Sequence, residues 1–86
     1  MQFDGALIRE QGITFAIVVV QSHVLNSTYS CDQARIGFRG AFLGIPIILM
    51  AQNGRGIPTY QGRQDIVAFL ANVHPSRIPW KRYSYS

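Results

Sequence analysis

An 86-residue chain has material for one small core, because a domain of this size buries only about 60–65% of its unfolded surface. With 48% hydrophobic and 14% charged residues, it is too apolar for disorder, and the longest uncharged apolar run is far short of the ~20 residues of a membrane-spanning helix. The net charge of +4, from eight Lys+Arg against four Asp+Glu, includes seven arginines, the side chain suited to forked contact with carboxylate or phosphate.

A single cysteine, Cys31, excludes an internal disulfide. With His23 and His74 it offers three scattered soft ligands and no CxxC or HxxxH spacing, so no metal or other cofactor is expected. The N-terminus carries Asp4 and Glu10 where a secretory signal would be basic and then apolar. The expected location is cytoplasmic, with no membrane association.

Phe3–Arg9 reads as a strand weakened by Gly5, and Glu10-Gln11-Gly12 as a tight turn. Ile13–Val20 follows, with no charge and five β-branched aliphatic residues out of eight. Such a segment is short for a buried helix and too uniformly oily for a strand with one wet face. It fits a strand covered on both sides, paired with the first in a hairpin. A helix is expected next. Ser30 with Gln33 fits a capping box, Ser27 is the competing cap, and Cys31, Ala34, Phe38, Ala41 and Phe42 follow the spacing of one buried face. Arg35 and Arg39 lie one turn apart on another face, Asp32 can meet Arg35, and Gly40 or Gly44 ends the helix.

Ile45–Met50 is a second oily strand, Asn53-Gly54 a hairpin turn, and about Ile57–Gln61 a return strand in which Pro58 demands an edge position. A second helix is expected from Arg63 to about His74, with Pro75 as its stop. The order is β-β-α-β-β-α plus a tail, an α/β (α+β) class: a mixed four- to five-stranded sheet packed with two helices. Residues 1–75 form a single domain. Residues 76–86 are a C-terminal tail packed on it, as a last strand or an arm. The helix-containing connection between the two oily strands favours a parallel crossover.

Gly44-Ile45-Pro46 followed by Ile-Ile-Leu-Met, then Asn53-Gly54, Tyr60-Gln61-Gly62 and Ile66–Leu70, resembles the C-terminal half of a thioredoxin-like fold around its cis-proline, hairpin and final helix. The resemblance covers residues 44–73, about a third of the chain. It implies a partly thioredoxin-like fold without dithiol chemistry, since Ser-His-Val-Leu-Asn stands where a CxxC is required. The whole chain also resembles a family of small bacterial proteins, which implies no particular activity.

If the two oily strands are parallel, their carboxyl ends gather Gln21–His23, the Ser27–Asp32 helix start and the Asn53–Gly56 turn. Open α/β sheets bind ligands at that end. His23, Ser30 and Arg55 are therefore the candidate residues for a small anionic ligand. Ordinary capping and solvation explain the same residues. Gly62 and Arg63, at the start of the last helix, form a secondary candidate anion site, with an ion pair between Arg63 and Asp65 as the plainer account.

The function expected is a non-catalytic interaction or small-anion-binding module with no catalytic residues. A homodimer is expected from the small core and open sheet edges. An alternative is nucleic-acid binding through the arginines and the tail residues Arg77, Trp80, Lys81, Arg82 and Tyr83, which interleave stacking and cationic side chains. Against that, tail aromatics commonly pin a tail to its own domain. A further alternative is a monothiol enzyme at Cys31, although its spacing points to a buried, inert thiol.

Overall fold

The computed structural model describes residues 2–10 and 12–84. Seven main elements run in the order β1 (Gln2–Glu10), β2 (Ile13–Val19), α1 (Thr28–Phe38), β3 (Ile47–Gln52), β4 (Pro58–Gln61), α2 (Gln64–Leu70) and β5 (Lys81–Ser84). The strands form one mixed sheet in the order β4-β3-β2-β1-β5.

The oily stretch around Ile17 lies at the middle of this sheet because both of its faces are covered. Phe15 and Ile17 join Ile48, Met50, Ile66 and Leu70 on the α2 side. Ala16 and Val18 join Ile47, Leu49 and Cys31 on the α1 side. The two central strands are parallel, with Ala16 opposite Ile47 and Val19 opposite Met50. Every other pairing is antiparallel. Alternation of side chains across strands of period two thus makes two apolar surfaces, and each is closed by one helix.

The helices differ from the sequence expectation at their ends. Ser27, not Ser30, caps α1: its backbone is extended (φ −146°, ψ 153°), and its Oγ accepts from the Ser30 N–H at 3.1 Å. The helix stops at Phe38, and Ala41 and Phe42 follow in turns that bond back three residues. Phe42 still reaches the α1-side core, so the apolar spacing outlasts the helix. Between β2 and α1 the chain makes a 3-10 turn, Ser22–Asn26, which the polar composition there did not suggest. The second helix starts at Gln64 and ends at Leu70 rather than near His74. Asn72 and Val73 bond to carbonyls three residues back, tightening the chain before Pro75, and the residue preceding a proline resists the helical region.

The tail supplies β5, which extends the sheet beside β1 with Gly5 opposite Lys81 and Gln2 opposite Ser84. Dimerisation through a sheet edge, expected from the sequence, meets two blunted edges. Both are four residues long, one carrying Pro58 and the other Lys81 and Arg82, features that discourage strand addition. The peptide bond before Pro46 is trans, where the family resembled by this segment carries a cis-proline.

Candidate functional site

At the carboxyl ends of β2 and β3, the 3-10 turn is tied to the sheet by Ser22, whose hydroxyl donates to the Gln52 carbonyl at 3.3 Å. His23 is exposed on that turn. Ser30 spends its polar groups on Ser27, its N–H at 3.1 Å and its hydroxyl at 3.0 Å. Arg55 is exposed in a turn closed by Asn53, whose Oδ1 accepts from the N–H groups of Arg55 (2.8 Å) and Ile57 (3.0 Å). Among the described residues, no hydrogen bond or ion pair joins any two of His23, Ser30 and Arg55. Beside them lies an apolar groove of about 590 Å³ between α1 and the β1–β2 pair, floored by Phe3, Val20, Val24 and Phe38. None of the three lines it.

The other end of the sheet is different. A groove of about 800 Å³ opens where β3 begins and β4 ends, and Arg35, Arg39, Gly62 and Arg63 line it together with the apolar Ile45 and Pro46. Arg35 is fixed. Its Nε donates to the Ile47 carbonyl at 3.0 Å, and its Nη2 to the Gln61 carbonyl at 2.6 Å and to the Gln61 side-chain oxygen. One side chain therefore clamps α1 to both β3 and β4. The acceptors are neutral, so they orient the guanidinium without cancelling its charge. The Asp32 carboxylate stands 3.9 Å away and is largely exposed (63%), which leaves only a weak opposing term.

Arg39, one turn further along the chain, is exposed, and among the described residues its guanidinium has no partner. Arg63 is half exposed and makes a forked pair with Asp65, with both N–O distances at 2.9 Å. That hydrogen-bonded partner holds the Asp65 carboxyl below the usual carboxylate range. Gly62 has φ +154°, and a Cβ there would stand 2.6 Å from Ile48 Cδ1 and 3.0 Å from Arg35 Nη2. The secondary site residues Gly62 and Arg63 thus sit on one rim with two arginines from the α1 segment. The sequence places those two one turn apart on a helix face other than the buried one, without linking them to Gly62 and Arg63. The signal was present, because a crossover helix carries the chain from the carboxyl end of one strand back to the start of the next. Residues of its last turn must therefore arrive beside the beginning of β3.

The tail residues are divided between the two faces of the sheet. Trp80 packs on the α2-side core, and its Nε1 donates to the Pro75 carbonyl at 2.9 Å. Tyr83 stacks on Phe3 on the α1 side, with centroids 5.3 Å apart and an interplanar angle of 12°. Lys81 lies over the Tyr83 ring at 5.5 Å, Arg82 pairs with Asp4 at 3.1 Å, and Arg77 is exposed. The two aromatics do not form one stacking platform of the kind that single-strand binders use. Cys31 is buried (1% exposed), and its thiol points at the Val24 carbonyl, 3.5 Å away.

Among the described residues, no helix is long and apolar enough to cross a membrane. Comparison of the chain with protein-family models, with curated proteins and with solved structures finds no match.

Proposed function

We propose that this chain is a non-catalytic small-anion-binding module whose site is the groove of Arg35, Arg39, Gly62 and Arg63. The observation that carries this reading is that three arginines, from α1, the turn after it and the β4–α2 connection, line one groove. They also differ usefully in state. Arg35 is an oriented charge that needs no reorganisation, Arg39 has no guanidinium partner among the described residues, and Arg63 has its fork held by Asp65 in the geometry that grips an oxyanion. The lining offers cations, a carboxamide and apolar walls, a set that recognises rather than transforms.

The test is a titration with inorganic phosphate followed by backbone NMR, in the parent and in Arg39→Gln. The expected result is saturable shifts at Gly62 and Gly44, affinity about tenfold lower in the variant, and weakening with added salt. No shifts at millimolar phosphate, or equal affinity in parent and variant, would remove the reading.

A further inference from the structure

Resting on the anion-site reading, we infer that the groove selects a phosphate monoester dianion carrying an apolar body, and that Asp65 discriminates against monocarboxylates. The selectivity follows from what already occupies Arg63. Asp65 holds that guanidinium through two parallel bonds of 2.9 Å, the arrangement a carboxylate ligand would itself adopt. Since Asp65 is tethered two residues away, it competes at a high effective concentration. A monocarboxylate would exchange one carboxylate for another at Arg63 and gain little.

A phosphate monoester differs in charge and in number of acceptors. It carries nearly two charges near neutrality and three acceptor oxygens, so it can take Arg39, which has no guanidinium partner among the described residues, and still outbid the single charge of Asp65 for Arg63. The Arg35 guanidinium, fixed beside Gly62, adds an attractive field without having to move. The absent side chain of Gly62 leaves room for this approach, because a Cβ there would press on Nη2 of Arg35. The rest of the lining sets the ester group. Phe42, Ile45 and Pro46 form an apolar wall against which a hydrocarbon or aromatic substituent loses its water.

The experiment compares phenyl phosphate with benzoate, which share an aromatic body and differ in head-group charge, at about pH 8 where the monoester is a dianion. Affinities are read from amide shifts in the parent and in Asp65→Asn, with Asp65→Ser as a second variant. Asp65 is exposed, and circular dichroism verifies that each variant keeps its helices. The parent should bind phenyl phosphate at least about tenfold tighter than benzoate. In both variants benzoate should gain affinity and the ratio should shrink to about twofold. Comparable binding of the two probes by the parent overturns the dianion preference while leaving the anion site standing. A ratio that does not change in the variants overturns the role of Asp65. Binding of neither probe removes the underlying anion-site reading and this inference with it.

Discussion

Gly62 and Arg35 fit together so closely that a single methyl group would separate them: a Cβ on Gly62 would stand 3.0 Å from Arg35 Nη2, and 2.6 Å from Ile48 Cδ1. The backbone at Gly62 also has φ +154°, a region that L side chains rarely adopt. Gly62→Ala should therefore destabilise the fold by about 2 kcal/mol, measured by urea unfolding. Part of this is contact with the Ile48 tip, so adding Ile48→Val should recover about 0.5 kcal/mol relative to the sum of the single changes. Strict additivity of the two changes would show that the Ile48 contact adds nothing to the cost.

A second close approach lies in the sheet. Gly5 sits in β1 between β2 and β5, and a Cβ there would stand 2.7 Å from the Ile17 carbonyl oxygen, a backbone atom that cannot swing away. The same missing side chain lets Phe3 and Tyr83 close over the strand, each within 3.5 Å of the position a Cβ would take. Gly5→Ala should cost about 3 kcal/mol and loosen β5. Hydrogen exchange at Lys81–Ser84 should then accelerate more than at β3. Unchanged protection of β5 would show that the strand is held without this contact.

The two central strands were legible because their oily residues run on without a polar face to turn outward. Ile13–Val20 and Ile45–Met50 fit strands covered on both sides, although the second strand begins at Ile47, and Pro58 marked the outer strand. Which serine caps α1 was not legible, since Ser27 and Ser30 both satisfy local chemistry and only the path of the preceding 3-10 turn decides between them. The acceptors of Arg35 were invisible for a different reason. They include backbone carbonyls, Ile47 and Gln61, 12 and 26 residues away, and a carbonyl has no sequence signature. The rule that ligands lie at the carboxyl ends of strands drew attention to His23, Ser30 and Arg55. Arg35 and Arg39 reach the opposite rim because the crossover helix returns there, and Arg63 joins them from the β4–α2 connection.

Tyr60, on β4, packs against the α2-side core, and its hydroxyl is buried without a partner among the described residues. Burial pushes its pKa above the ordinary 10.0 of a tyrosine. Removing an unsatisfied polar atom while keeping the ring should help, so Tyr60→Phe is expected to gain about 1 kcal/mol. The sign of the pH effect follows from the raised folded pKa. The neutral phenol contributes its full stability below the unfolded pKa of about 10, and that contribution is lost as pH rises through the higher folded value. The phenylalanine variant should therefore lose less stability than the parent between neutral and strongly alkaline solution. A marked destabilisation of the variant near neutrality would reveal a bonding partner for the hydroxyl.

Asp65 gives the opposite pH dependence. Its carboxyl is held low, chiefly by the hydrogen bonds from Arg63, so any stability it adds is present above the unfolded pKa of about 3.9 and is lost as pH falls through the lower folded value. Because the pair is exposed, the effect on unfolding should be small and screened by salt. The titration itself is the sharper measurement. Followed by the side-chain carbonyl resonance, Asp65 should titrate below the ordinary carboxylate range in the parent and return to it in Arg63→Gln. A carboxyl that titrates identically in both proteins would mean that the forked pair does not persist in solution, and that Arg63 is unoccupied before any anion arrives.

The alternative of a reactive thiol makes a separate claim on the first helix. Cys31 stands in the first turn of α1, and its own N–H is bonded to the Ser27 carbonyl at 3.1 Å. Its neighbours work against access: the side chain is 1% exposed, its sulfur faces the Val24 carbonyl, and Ala16, Val18 and Leu49 belong to the same buried cluster. A reagent can reach the sulfur only when the 3-10 turn or the helix start opens. Alkylation by iodoacetamide at neutral pH should therefore run at least about tenfold slower in the native protein than in urea, and Cys31→Ala should cost about 1 kcal/mol as a lost core contact. Equal rates in the native and unfolded protein would place the thiol in solvent and restore the monothiol reading.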